Sequence, residues 1–287
     1  YSAIGPGRSP GVIKPDLMAF GGNPAAKYFH VLAPNVKPVL TPQLGTSFAA
    51  PYLLRSAVGV RAILGGDLTP LAIKALLVHA ADPGEHDPVE VGWGKIPEDT
   101  LDIITCPDGV ARVVYQGELK PSKYLRASLP LPKEGLLGNV RLKATFCYAS
   151  PTDPQDAAAY TKAGLEVVFR PNDEKIKDGK SNADTKGFFD LKKFATEQER
   201  RSDQGKWETV LHGAKTFRGS SLKNPVFDIH YNAREAGGRA TGAEKIRYAL
   251  IITVEAPKHV DLYNEILRAY AKTLVPIQPQ VSLPIRV

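Results

Sequence analysis

The sequence predicts two unlike parts in succession: an α/β segment over residues 1–105, then an all-β sandwich, with the jelly roll among its forms, over residues 106–287. Apolar residues recur at helical spacing up to about residue 80, whereas after Pro107 they alternate with polar ones. Seven or more alternating stretches follow, joined by Pro- and Gly-rich turns, which is the pattern of a sandwich. A length of 287 residues with 43% hydrophobic content suffices for one large domain or two ordinary ones.

Residues 1–11 are rich in Gly, Pro and Ser and read as a loop. The apolar Leu17-Met18-Ala19-Phe20 predicts a short buried strand that ends at Gly21-Gly22. Residues 27–33 alternate weakly, so His30 falls in a strand or extended loop and faces solvent or substrate. The apolar run over residues 49–64, with Arg55 and Arg61 as its only charges, predicts a helix over 47–64 that is buried on most sides and stops at Gly65-Gly66. Thr69-Pro70 supplies an N-cap followed by proline at the first helical position. Ile73, Leu76, Leu77 and Ala80 then predict a second helix packed on one face, with His79 as a packed or capping residue. The loop over 82–88 holds several donor atoms, but their spacing matches no calcium or zinc motif and reads as a solvated loop. Gly92-Trp93-Gly94 turns the chain back, and the first part ends between Ile96 and Cys106.

In the second part, strands are predicted over 110–119, 124–129, 140–148, 165–170, 207–211, 226–231 and 248–255. The charged stretch 171–206 interrupts them, with Phe188, Phe189, Leu191 and Phe194 as anchors and a short helix near 191–200. Asp173, Asp178 and Asp184 in this stretch are oxygen donors, yet their surroundings are lysine-rich; structural calcium is unsupported and no cofactor is evident. Residues 260–274 place Leu262, Ile266, Leu267 and Tyr270 on one helical face, which should cover the sandwich or touch the first part.

The formal charge of +7 arises after Cys106, where basic residues alternate with acids, as in Asp173-Glu174-Lys175-Ile176-Lys177-Asp178. That is a solvated surface and not the cationic stripe of a nucleic-acid-binding protein. No apolar run approaches the ~20 residues of a membrane span, and the N-terminus lacks a signal-peptide pattern. Cys106 and Cys147 can form one disulfide or stay reduced, which leaves the compartment open.

The chemistry concentrates in Gly45-Thr46-Ser47-Phe48-Ala49-Ala50-Pro51. A serine between a glycine turn and an apolar helix stands beside N–H groups that have no intrahelical partner, where the macrodipole adds about half a positive charge. An oxyanion forming at Ser47 would be stabilised there. Pro51 removes the N–H that would otherwise bond the Ser47 carbonyl, and Gly45, Ala49 and Ala50 allow close approach. The plainer reading is a serine cap on an ordinary core helix.

This string resembles the nucleophile segment of the subtilisin-like serine protease (subtilase) family, whose triad runs Asp, His, Ser along the chain. Tyr1-Ser2-Ala3-Ile4-Gly5-Pro6-Gly7, Ile13-Lys14-Pro15-Asp16-Leu17-Met18-Ala19-Phe20-Gly21-Gly22, residues 69–81 and Gly92-Trp93-Gly94 resemble flanking segments of the same family in the same order. The resemblance covers about the first 100 residues. It implies that Ser47 is the nucleophile that forms an acyl-enzyme, that its backbone N–H is an oxyanion donor, and that Gly45, Thr46 and Pro51 shape the turn. It further implies the end of a doubly wound α/β domain, a protein or peptide substrate and, by family tendency, an extracellular location. Phe48 stands where methionine is frequent and Tyr52 where histidine is common. The family's Asp, His and oxyanion Asn would lie upstream of Tyr1. The chain is therefore expected to be the C-terminal portion of a serine endopeptidase, inactive alone; the alternative is a non-catalytic protein-binding module or pseudoprotease fragment. A partial sheet exposes an edge and apolar faces. Its expected partner is the upstream part of the same domain, or a second copy in a homodimer, unless its elements rearrange.

Overall fold

The structure, a computed structural model, describes residues 2–7, 11–25, 29–33, 37, 39–121, 123–152, 154, 161–189, 207–233 and 244–278. Where a strand is expected over 17–20, only an isolated parallel bridge from Met18 to Lys95 forms. Met18 N–H donates to the Gly94 carbonyl at 2.8 Å and Ile96 N–H donates back to Met18 at 3.3 Å, too short a pairing for a strand. An antiparallel ribbon of β1 (Phe29–Ala33) and β2 (Val39–Gln43) follows. Strand β2 is hidden in the sequence by Pro42, which this ribbon tolerates because both of its strands are edges.

Helix α1 (Thr46–Leu64) contradicts the expectation of burial on most sides. Only Ser56 and Val60 are buried, one turn apart, while Leu54 and Val58 are 61% and 59% exposed. The helix is apolar, but it meets its helical neighbours along a single stripe, and a broad apolar face stays open.

Helix α2 (Pro70–Ala80) departs in the opposite direction. Expected to pack on one face, it buries Ala72, Ile73 and every residue from Ala75 to His79. The reason is that α2 lies between two neighbours: Pro70, Ile73, Lys74 and Leu77 line a cavity beside α1, while His79 bonds to the large sheet behind. Its start is as the sequence predicts, with Thr69 Oγ1 accepting from Ala72 N–H at 3.2 Å. Replacing Thr69 by alanine should cost about 1 kcal/mol, seen as a lower urea midpoint at unchanged slope. Two short helices, α3 (Pro88–Val91) and α4 (Thr100–Ile104), are capped by Asp87 and Asp99.

Beyond residue 105 come β3 (Val110–Leu119), β4 (Tyr124–Ser128), β5 (Asn139–Ala149), β6 (Ala163–Arg170), β7 (Val210–Arg218), β8 (Val226–Ala233) and β9 (Ile246–Glu255). They match the alternation read from the sequence except at β7, which starts three residues late and runs on to Arg218. Before β7, Trp207 packs on Gly164, where a Cβ would come within 2.6 Å of the indole. Glu208 turns inward to accept from Val12 N–H at 3.1 Å. The helix expected near 191–200 lies outside the described residues.

The strands form two antiparallel sheets, ordered β3-β9-β5-β7 and β4-β8-β6. Alternation assigns their faces. Leu142, Ala144, Phe146, Leu250, Ile252 and Val254 point from the larger sheet toward Leu165, Phe169, Phe227 and Ile229 of the smaller one, in one shared core. The intervening residues Cys147, Ala249 and Ile251 point outward and join a second core with α2, Val60, Trp93 and Ile103. Strand β9 is therefore covered on both sides, which explains its unbroken apolar run Ala249-Leu250-Ile251-Ile252. Helix α5 (Leu262–Ala269) buries Leu262 and Ile266 in the first core, as its predicted face requires.

Candidate functional site

Ser47 sits in the first turn of α1, two residues after Gly45, which is the N-cap at φ 146°. That positive φ favours glycine. Gly45 N–H donates to the Gly21 carbonyl at 2.7 Å, and the Gly45 carbonyl accepts from Phe48 and Ala49 N–H at 3.0 and 3.3 Å. A Cβ on Gly21 would lie 3.0 Å from that same carbonyl, and one on Gly22 would lie 2.7 Å from the Leu44 Cβ. The Gly21-Gly22 pair thus crosses close over the start of α1. Ser47 is exposed, and its hydroxyl has no partner among the described residues. Pro51 falls one turn later inside the helix, so the Ser47 carbonyl receives no i+4 backbone donor.

The start of α1 is held by rings. Phe29 of β1 packs against Phe20, Phe48 and Tyr52 with centroids 5.4, 6.0 and 5.9 Å apart. Because side chains alternate along a strand, the exposed His30 points to the opposite side of the ribbon from this cluster. Along α1 a cavity of about 880 Å³ is lined by Gly45, Thr46, Ala49, Leu53, Ile73 and Leu77, among others. Its lining takes in Thr46 but not Ser47. At its rim Asp16 pairs with Lys14 and, at 3.3 Å, with Lys74. Burial raises the Asp16 pKa, but the two lysines outweigh it and hold the carboxyl below its usual value.

The chain has six histidines, and no described bond connects any of them to Ser47. His30 and His86 are exposed, His230 stacks on Tyr124 at 5.5 Å, and His259 pairs with Glu265 at 3.3 Å. His79 and His212 are elsewhere altogether, in a buried polar network behind α2. His79 Nδ1 meets Thr145 Oγ1 at 2.9 Å and its Nε2 meets Thr253 Oγ1 at 2.7 Å. Thr145 Oγ1 also meets His212 Nδ1 at 2.7 Å, and Arg112 Nε donates to Thr253 at 3.1 Å. Burial, then the positive charges of Arg112 and Lys143, hold the His79 pKa well below its usual value. Burial, then Lys143 and Arg141, push His212 down to about 3.

No local pattern in the sequence marks this network, because residues 79, 145, 212 and 253 meet only through sheet register: Val114, Ile251, Thr145 and His212 form one outward row and Arg112, Thr253 and Lys143 the next. The unbroken apolar run of β9 is the one available sign that something packs on the outer face.

Of the candidate calcium carboxylates Asp173, Asp178 and Asp184, the first and last are engaged in ion pairs, and Asp178 is exposed. Asp173 pairs with Arg126 at 2.6 Å, and Asp184 with Lys177 and Lys180. Among the described residues no three His, Cys, Asp or Glu side chains gather as a metal site would need. Both cysteines are free, and burial pushes the Cys147 thiol up to about 12. No helix among the described residues is long and apolar enough to cross a membrane.

No curated protein matches the sequence. Among solved structures, the chain is similar to the VP2 subviral particle of infectious bursal disease virus, at 11% identity and a TM-score of 0.31 over 55% of this chain. It spans 34% of that protein's length. It is also similar to the acid-stable capsid of Helicobacter pylori bacteriophage KHP30, at 12% identity and a TM-score of 0.21, covering 51% of this chain and 94% of that one. Scores this low bear on neither fold nor function. Residues 1–94 match the model of the subtilase family, which relates this third of the chain to the serine peptidases.

Proposed function

We propose that Ser47 is the nucleophile of a serine endopeptidase acting on protein or peptide substrates. On this reading residues 1–105 are the last part of its doubly wound catalytic domain, and residues 106–287 are a sandwich attached to it. The observation that carries the proposal is the exposed Ser47 hydroxyl in an open first turn, inside the segment that matches the subtilase family. Strand orders β3-β9-β5-β7 and β4-β8-β6, with successive strands from β3 to β9 alternating between sheets, support a jelly roll.

Ser47 Oγ attacks the scissile carbonyl and loses its proton to a base; the tetrahedral oxyanion then needs N–H donors, and the Ser47 amide in the first helical turn is one. Neither His79 nor His212 can be the base, since both are locked behind α2. We assign the base, its orienting carboxylate and the second oxyanion donor to residues outside 1–287. The open apolar face of α1 is where that remaining part of the domain packs. Residues 1–287 alone are thus inactive.

In the natural gene product, Ser47→Ala should lower hydrolysis of an unfolded protein substrate by at least about 10³-fold. The same variant should leave stability within about 0.5 kcal/mol, because the side chain is exposed and unpartnered among the described residues. Hydrolysis that survives the substitution would overturn the assignment.

A further inference from the structure

The network behind α2 does more than fill space. In its neutral form it closes as a one-way chain: Arg112 Nε–H donates to Thr253, the Thr253 hydroxyl to His79 Nε2, His79 Nδ1–H to Thr145, and the Thr145 hydroxyl to His212 Nδ1. Every bond has one proton. Protonating both imidazoles puts N–H groups on both sides of Thr145 and on both sides of Thr253, counting Arg112, so each hydroxyl proton loses its acceptor. Among the described residues no carboxylate pairs with the added charges. From the sheet, Arg112 on β3, Arg141 and Lys143 on β5, and the two histidines themselves all oppose them. Among the nearby carboxylates, Glu255 pairs with Arg141 at 2.8 Å and Asp16 with Lys14 and Lys74, while the buried Glu208 accepts from Val12 N–H through Oε2 and makes no bond to either histidine among the described residues. Asp82 acts on Lys143 from the loop after α2 but is exposed. Trp93 closes the site, its ring edge on His212 at 5.5 Å.

We infer that the junction of α2 with the outer face of the larger sheet is an acid-weakened latch, which holds residues 70–80 against the sandwich at neutral pH and loosens that hold progressively as pH falls below about 6.5. The sandwich's inner core takes no part, because its facing residues are apolar. Loosening matters for α1, since Ile73, Lys74 and Leu77 on the other side of α2 form one wall of the cavity beside it. This inference does not depend on the role of Ser47.

The folded histidines hold fewer protons than the ordinary value near 6.5 would give, so opening takes up protons and grows as pH falls from about 6.5 toward 3. Two such groups raise the opening equilibrium about 10³-fold between pH 7.5 and 5.0. Carboxylates such as Asp228 act lower, below their usual 3.9, and leave this window clear.

Amide hydrogen exchange of the full 287-residue chain at pH 7.5 and 5.0, with exchange times corrected for the intrinsic rate, tests it. Residues 70–80 should lose protection on the order of 10³-fold relative to β6 and β8, and a His79→Gln, His212→Gln double variant should lose most of that pH dependence. Equal loss across the chain, or none in residues 70–80 of the unaltered protein, would overturn the latch. Persistence of the full dependence in a folded double variant would do so as well. If the double variant does not fold, the unaltered protein's exchange pattern decides.

Discussion

Replacing Asp228 by alanine should destabilise the sandwich by about 3–5 kcal/mol, the cost of leaving buried charge without its partner. Asp228 is 2% exposed on the middle strand of the smaller sheet. It accepts from Arg126 Nε at 2.8 Å and Nη2 at 3.0 Å, and from Arg170 Nε at 2.8 Å. Its register partner across β4 is Arg126 itself. Burial raises the Asp228 pKa, but the hydrogen bonds from the two arginines outweigh it and leave the carboxyl below its usual value. Its contribution is therefore complete at neutral pH and disappears as pH falls below about 3.9 through the folded value. The loss should spread to the following loop, because Arg126 also holds Asp173 and Arg170 also donates to the Ala183 carbonyl. Asp228→Asn keeps the shape and should cost less. Urea unfolding at pH 7 measures both; a change under 1 kcal/mol for the alanine variant would refute this account of the smaller sheet.

Phe227→Ala should cost a comparable 3–5 kcal/mol, for an unrelated reason. Phe227 has no exposed surface and faces the inter-sheet core. Its ring lies 4.7 Å from Phe169, 5.2 Å from Phe188 and 6.4 Å from Phe189, the last two in the stretch that follows β6. Truncation leaves a cavity among rings that β-sheet backbone on both sides keeps from collapsing. Phe188 and Phe189 should lose their hold first, so proteolytic cutting next to residue 189 should accelerate before global unfolding does. A well-folded variant with unchanged cutting there would show that these rings do not anchor the loop.

The alternation of Val140-Arg141-Leu142-Lys143-Ala144-Thr145-Phe146 made its strand legible, because a sheet with one polar face repeats every two residues. That same regularity concealed the outer face. Thr145 and Lys143 look like ordinary solvent-facing positions, and only the docking of α2 shows one as a buried bond partner of His79 and the other as half-buried nearby. Helix positions were readable from Thr69-Pro70 and the Gly65-Gly66 stop, yet burial was not. Apolar content indicates how much surface a helix can bury, not whether a neighbour is there to bury it, and α1 and α2 erred in opposite senses for that reason. At the candidate site, the Gly45-to-Pro51 string was legible since its geometry is local. No base was legible beside it, and no bond among the described residues connects a histidine to Ser47.

The most direct test of the central claim is labelling by a fluorophosphonate probe, with the modified residue located by mass spectrometry. The account predicts that residues 1–287 alone are labelled no more than their Ser47→Ala variant, whereas the natural gene product is labelled on Ser47 and loses that label with the same substitution. Strong labelling of Ser47 in the isolated 287 residues would contradict the assignment of the base to another segment, and a natural gene product that stays unlabelled would contradict the nucleophile.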